Sequence, residues 1–204
     1  MKDTAIVNKL IHDWKIGEIV EVGPHTPSMA QTASLIESGC NVLLIEPHPA
    51  AYLELLSKWG DTKTCRIIQK AIYRQKQKVI LNNIKDNGFH KTSSSFVAGI
   101  RSPYTEMLDS GEIPGARWQE IEVDAITFDE IDTGNIDLLF VDAEGCEWYV
   151  IEKMKSRPRL IKLETHGSHR YINPFMSKIN TWMEKNGYEE AAKTRSDTIW
   201  ILKK

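Results

Sequence analysis

Acidic residues close most of the apolar runs in this sequence. Glu21 lies in "EIVEVG" (18–23) and Glu46 in "NVLLIEP" (41–47). Asp142 and Glu144 end "IDLLFVDAEG" (136–145), and Glu164 ends the run that leads into Thr165 and His166. Nearly continuous apolar runs are strands buried on both faces of a parallel sheet. Ligands of such sheets bind outside the carboxyl ends of the strands. Carboxylates gathered there repel one another, and that cost is retained for a ligand or a metal.

The turn after the first run narrows the choice of ligand. Gly23 opens it, followed by Pro24 and His25. A dinucleotide fingerprint would place two more glycines close by, so that the backbone could approach a pyrophosphate. Pro24 and Pro27 stand in that region instead. Glu46 lies at the end of the second run, where nucleotide-binding α/β domains place the acid that accepts from both ribose hydroxyls. The ligand therefore has a ribose and no pyrophosphate. S-adenosylmethionine meets both conditions, and its sulfonium suits a wall of carboxylates. That wall is expected from Glu21, Gly23, Pro24, His25, Glu46, Pro47, Asp142 and Glu144, with Ala71 and Ile72 from the end of the third run (65–72). Asp142, Glu164 and His166 are the candidates to take a proton from an acceptor hydroxyl. The same three could instead hold a divalent ion that lowers the acceptor's pKa; the sequence favours a site without a metal.

The elements that must position these groups follow from periodicity. Ile6, Leu10 and Trp14 share one face of a short helix within a segment spanning about 1–16. Strand 18–22 leads to a helix with Pro27 at its first position, capped by Thr26 and closed by Gly39. Strand 41–47, a helix from Pro49 and strand 65–72 continue a right-handed strand–helix–strand order. After an edge strand or hairpin arm at 77–84, residues 86–116 hold much of the Gly, Ser and Pro, and are expected to form a loop-rich insertion acting as lid or acceptor wall. Strands at 136–145 and 159–167 resume the pattern, and 188–203 forms two strands around a turn. The expected architecture is one domain over 1–204: a doubly wound, mostly parallel, Rossmann-like sheet with a C-terminal antiparallel hairpin.

Composition excludes several functions. A net charge of −2 with scattered basic residues argues against a nucleic-acid partner. Cys40, Cys65 and Cys146 are far apart and form no CxxC pair, which argues against a disulfide framework or structural zinc and suits a reducing cytoplasm. No run approaches the roughly 20 apolar residues that cross a bilayer.

The segment "VEVGPHTPSMAQTASLIESGCNVLLIEPHPAAYLELL" resembles the first two strands of FkbM-type methyltransferases. "VDAITFDEI", "IDLLFVDAEGCEWYVIEKM" and "RPRLIKLETH" resemble their second half, and "TSSSFV" (92–97) a serine-containing segment. The resemblance runs from about 18 to 166. It implies a class I methyltransferase using S-adenosylmethionine and acting on a hydroxyl of a sugar or other small metabolite. By the same resemblance, Glu21 and Gly23 line the cofactor turn, Glu46 binds the ribose, and Asp142 and Glu144 sit at the methyl-transfer end. Pro27 stands where the family has a second glycine, which leaves a catalytically degenerate binding protein as the alternative. An NAD-linked oxidoreductase is disfavoured by the missing glycines.

Overall fold

The computed structural model describes residues 3–85, 95–105, 117–167 and 171–203. Five short strands run parallel: β1 (Glu18–Val22), β2 (Val42–Ile45), β3 (Cys65–Ile68), β8 (Ile136–Val141) and β9 (Leu160–Glu164). β11 (Asp197–Leu202) joins β9 antiparallel, and β10 (Tyr188–Lys193) pairs antiparallel with β11 at the edge. The order is β10-β11-β9-β8-β1-β2-β3. Helices α1 (Asp3–Ile11), α2 (Ala33–Glu37), α3 (Pro49–Trp59), α4 (Glu147–Ile151) and α5 (Met176–Lys185) flank the sheet.

Alternate strand residues face opposite sides, and both sides are apolar. Ile19, Leu44, Leu138, Phe140 and Leu160 pack with Val7, Ile11, Ile36, Leu55 and Trp59 from α1, α2 and α3. Val20, Val22, Ile45, Leu139, Val141 and Leu163 pack on the other side with Val150, Ile179 and Met183 from α4 and α5. Two-sided burial explains why these strands read as unbroken apolar runs.

Three expectations change. The run 65–72 is not one strand. β3 stops at Ile68, and Ala71–Ile72 forms β4 in a separate four-stranded sheet, order β4-β7-β5-β6, with β5 (Gln77–Lys85), β6 (Ser95–Val97) and β7 (Arg117–Ile126). Of the two readings of strand 77–84, the edge gives way to the hairpin arm: β5 lies between β7 and β6 and pairs antiparallel with both. The helix expected from Pro27 is displaced. The carbonyl of Thr26 accepts from the N–H groups of Met29 (2.9 Å) and Ala30 (3.0 Å), but the next donors turn away to the Glu21 carboxylate and regular helix starts only at Ala33. The helix from Pro49 forms as expected, with Pro at its start and the His48 ring accepting from the Ala51 N–H. Of the loop-rich segment 86–116, only 95–105 is described, so the expected lid lies largely outside the described residues.

The sheet order reverses beside β1, where β2 and β8 leave in opposite directions, and the cleft opens there. Gly23 makes the crossing possible. Its N–H donates to Ile45 O (2.9 Å), while Asp142 N–H donates to Val22 O (2.9 Å). At φ +76°, a Cβ on Gly23 would lie 1.8 Å from the Asp142 carbonyl oxygen. Gly23→Ala is expected to lower stability by at least about 2 kcal/mol, through the left-handed backbone and the overpacked contact together. Urea unfolding reads this directly, and an unchanged midpoint would contradict the close crossing.

Candidate active site

A cavity of about 190 Å³ opens at the carboxyl ends of β1, β2, β8 and β9. Every residue expected in the cofactor wall lines it: Glu21, Gly23, Pro24 and His25 after β1, Glu46 and Pro47 after β2, Ala71 and Ile72 of β4, and Asp142 and Glu144 after β8. Glu164 lines it too. Pro27 does not. The second sheet contributes Leu81, Ser95, Phe96 and Val97, and Tyr104 follows from the described part of the insertion. Ser95, Phe96, Val97 and Tyr104 fall within the segment 86–116 in which an acceptor wall was expected; Leu81 was not marked, because β5 reaches the cavity only through the second sheet.

Each carboxyl group has its own environment. Glu46 is 3% exposed, and its oxygens accept from the backbone N–H groups of His25 (2.9 Å) and His48 (2.8 Å). It thus ties the turn after β1 to the start of α3, and each oxygen keeps a lone pair for the cavity. His25 is held at φ 60° in this tie. Burial pushes Glu46 up to about 7, against the pull of the two N–H groups. Glu21 accepts from Gln31 N–H (2.7 Å), Thr32 N–H (3.0 Å) and the Thr32 hydroxyl, so most of its capacity is spent shaping the turn.

Glu147 is the residue that sequence reasoning missed. It is fully buried; one oxygen accepts from Ala143 N–H (2.8 Å) and Gly145 N–H (3.3 Å), and the other from the Asn173 side-chain amide. It clasps the turn that carries Asp142 and Glu144. The only signal was its place as the last acid of "DAEGCE". Within that turn Glu144 sits at φ 51°, a conformation that non-glycine residues adopt at a cost. Gly145, at φ +98°, packs so closely that a Cβ would meet Arg101 O at 2.3 Å.

Oxygens of Asp142, Glu144 and Glu164 lie within 4.8 Å of one another. Burial, then the charge of Asp197, pushes Asp142 up to about 7; Glu144 is raised well above the usual range, by burial and by Asp142. Glu164 is pushed up to about 12 by burial, followed by the charges of Asp142, Glu144 and Glu147. Below them Lys162, buried, donates to Asp197 (2.5 Å) and to the Gln31 side chain (2.7 Å).

His166 is not brought to this cluster. β9 ends at Glu164, so the alternation that would put Glu164 and His166 on one face stops there. Thr165 and His166 both give their N–H groups to Ser196 O. The His166 Nε2 donates to Thr194 O (3.0 Å), and Nδ1 is hydrogen-bonded to the Thr165 hydroxyl (2.8 Å). Of the three residues expected to act on the acceptor, Asp142 and Glu164 lie in this cluster, together with Glu144, and His166 does not.

A seven-stranded sheet of this order, with β11 as its antiparallel member and a cavity at the switch point, defines a Rossmann-like class I methyltransferase fold. The "Methyltransferase FkbM domain" matches residues 21–190, and the chain belongs to that family. Membership makes it a methyltransferase dependent on S-adenosylmethionine. Among solved structures it is similar to a "putative caffeoyl-CoA O-methyltransferase" from Staphylococcus aureus, with 13% identity and a TM-score of 0.52 over 98% of this chain and 82% of that one. It is also similar to precorrin-6y C5,15-methyltransferase from Geobacter metallireducens, at 10% identity and a TM-score of 0.47 over 98% and 88%. These likenesses concern the fold alone. No curated protein matches the chain.

The residues fit the cofactor that the family implies. Among the described residues that line the cavity there is no lysine or arginine to hold a phosphate, and Glu144 Oε2 and Glu164 Oε2 are buried without a hydrogen-bond partner. A cationic ligand with neutral hydroxyls suits such a wall.

The acids also set how the ligand-free protein responds to pH. A carboxyl whose pKa is raised on folding stabilises the fold below its unfolded value, and that contribution is lost as pH climbs through the folded value. For Glu46 and Glu147 the window runs from 4.5 to about 7, and for Asp142 from 3.8 to about 7; Glu21, Glu144 and Glu164 act in the same direction. His48, kept neutral by burial, opposes them as a single group below its ordinary 6.5. Stability is expected to fall between about pH 5 and about pH 8, with a slope on the order of 1.4 kcal/mol per unit for each carboxyl that ionises there. Chemical denaturation across that range checks the sign; a rise would contradict the burial of these groups.

Proposed function

We propose that the protein transfers a methyl group from S-adenosylmethionine to a hydroxyl of a sugar or another small metabolite. The observation that carries the reading is Glu46, a buried carboxyl at the end of β2 whose oxygens are fixed by two backbone N–H groups while still facing the cavity. On this reading Glu46 accepts from the ribose hydroxyls. Gly23, Pro24 and His25 form the turn beneath the donor, Pro47, Ala71 and Ile72 supply apolar wall, and Asp142 and Glu144 lie toward the sulfonium. When bound, the donor supplies a methyl group already activated by its positive sulfur.

The chain's own task is then alignment and removal of one proton. Alignment alone is worth on the order of 7–11 kcal/mol in favourable cases. Asp142 is suited to the proton, since a base works best with a pKa near the operating pH, and burial brings it to about 7. Glu164, held protonated well above that, would orient the acceptor by donating. His166, bonded to Thr165 and Thr194, takes no part. Pro27, outside the cavity lining, does not weigh for a degenerate site.

Calorimetry with S-adenosylhomocysteine tests the donor. Saturating ligand, at about 100 times its dissociation constant, should stabilise the fold by about 2.7 kcal/mol. Glu46→Gln, which keeps volume and loses the charge, should weaken binding by about 10- to 100-fold, as expected for one charge-assisted hydrogen bond. Failure to bind at millimolar concentration would remove the donor assignment. Labelled donor with a panel of sugars and hydroxylated metabolites then identifies the acceptor; methyl transfer only to a nitrogen or carbon centre would overturn the O-methylation.

A further inference from the structure

Three of the buried carboxyl groups in this site are explained by the protein itself. Glu21, Glu46 and Glu147 each accept from backbone N–H groups that they hold in place. Asp142, Glu144 and Glu164 are different. They bring oxygens within 4.8 Å of one another, and Glu144 Oε2 and Glu164 Oε2 are buried with no partner. Beside them stands Tyr171, 1% exposed, whose hydroxyl also has no partner although it lies close enough to feel the charges of Glu147, Glu164 and Glu144. Buried polar groups are nearly always bonded. Several unbonded ones on a single spot, two of them carboxylate oxygens, indicate a common missing partner.

The chemistry of that partner follows from the donor set. A proton joins two oxygens at most, whereas a cation joins all three groups. Oxygens on opposite sides of a cation are twice the metal–oxygen distance apart, about 4.2 Å for Mg²⁺ and about 5 Å for Ca²⁺. Three oxygens that all lie within 4.8 Å of one another can share a coordination sphere of this size. Carboxylates without nitrogen or sulfur select hard cations. We propose that Asp142, Glu144 and Glu164 form a binding site for a divalent cation of the Mg²⁺, Mn²⁺ or Ca²⁺ class, open to the cavity on its remaining side. Glu144 takes the place that sequence reasoning gave to His166. The positive φ of Glu144, held by the Glu147 clasp, is what turns its carboxylate into the cluster.

The role of the ion rests on the proposed function. A hydroxyl bound to it would lose its proton more readily. With the ion bound, Asp142 and Glu164 serve as its ligands in place of the base and donor roles of the ion-free site: the hydroxyl's proton passes to solvent, the oxygen's electron pair forms the O–C bond to the methyl group, and the C–S pair returns to sulfur.

Titration of the full chain with Mn²⁺, followed by the electron paramagnetic resonance of the free ion, tests the site. We expect one Mn²⁺ per chain with a dissociation constant between about 10⁻⁵ and 10⁻³ M. Glu164→Gln and Glu144→Gln should each weaken it by about 100-fold or more, since even the loss of an outer-shell partner costs up to that. Both keep the side-chain volume and remove a repelling charge, and their metal-free thermal unfolding shows that they fold. His166→Ala should bind as the parent does. Absence of saturable binding up to about 10 mM Mn²⁺, beyond the weakest specific oxygen sites, would overturn the proposal, as would equal binding by Glu164→Gln. S-adenosylhomocysteine is titrated into the same samples. Protein that binds Mn²⁺ and not this ligand keeps the cation site and loses the donor reading; the reverse result loses the cation site alone.

Discussion

Charge repulsion in a small volume governs this protein. Six carboxyl groups crowd around the ends of β1, β2, β8 and β9, three of them buried and three half-buried, and loss of water is the largest influence on every one of them. The fold compensates three of the six with its own backbone N–H groups. Glu21 collects the N–H groups that would have continued a helix, Glu46 ties two turns together, and Glu147 fixes the turn beyond β8. These three acids therefore serve as struts as well as walls. The other three have no such backbone compensation, and they gather at one spot of the cavity.

The division has a geometric origin. β1 lies between β2 and β8 at the reversal of the sheet order, so the turns after all three converge on one opening. Gly23, lacking a Cβ, lets the Asp142 carbonyl close in on the end of β1, and Asp142 lines that opening. A second cavity of about 520 Å³, lined by Ser28, Lys162 and Asp197, meets the first at Met29, Gln31 and Asp142. Asp142 thus borders both spaces, with the Lys162–Asp197 pair beneath it.

Much of this was legible in the sequence, for definite reasons. Strands covered on both faces must be apolar throughout, so β1, β2, β8 and β9 stood out, and the acids that end them could be placed at the ligand edge. Glu46 was readable because its distance from Gly23 is set by one strand–helix–strand unit. What was not readable depended on contacts distant in sequence. The second sheet pairs β5 with β7 across a long intervening segment, and the break at Ile68 makes sense only once Ala71 and Ile72 meet Ala125 and Ile126. The late start of α2 is decided by Glu21, ten residues from its first partner, Gln31. His166 was misplaced because a two-residue periodicity was carried one step past the strand that sustains it. Glu147 looked like any acid in the first turn of a helix.

The backbone of Glu144 carries a consequence for descent. At φ 51° a glycine or asparagine would sit with less strain, and either would also relieve the crowding of negative charge. In descent, exchange for either would relax the backbone, so glutamate at this position stands against local strain and local charge alike.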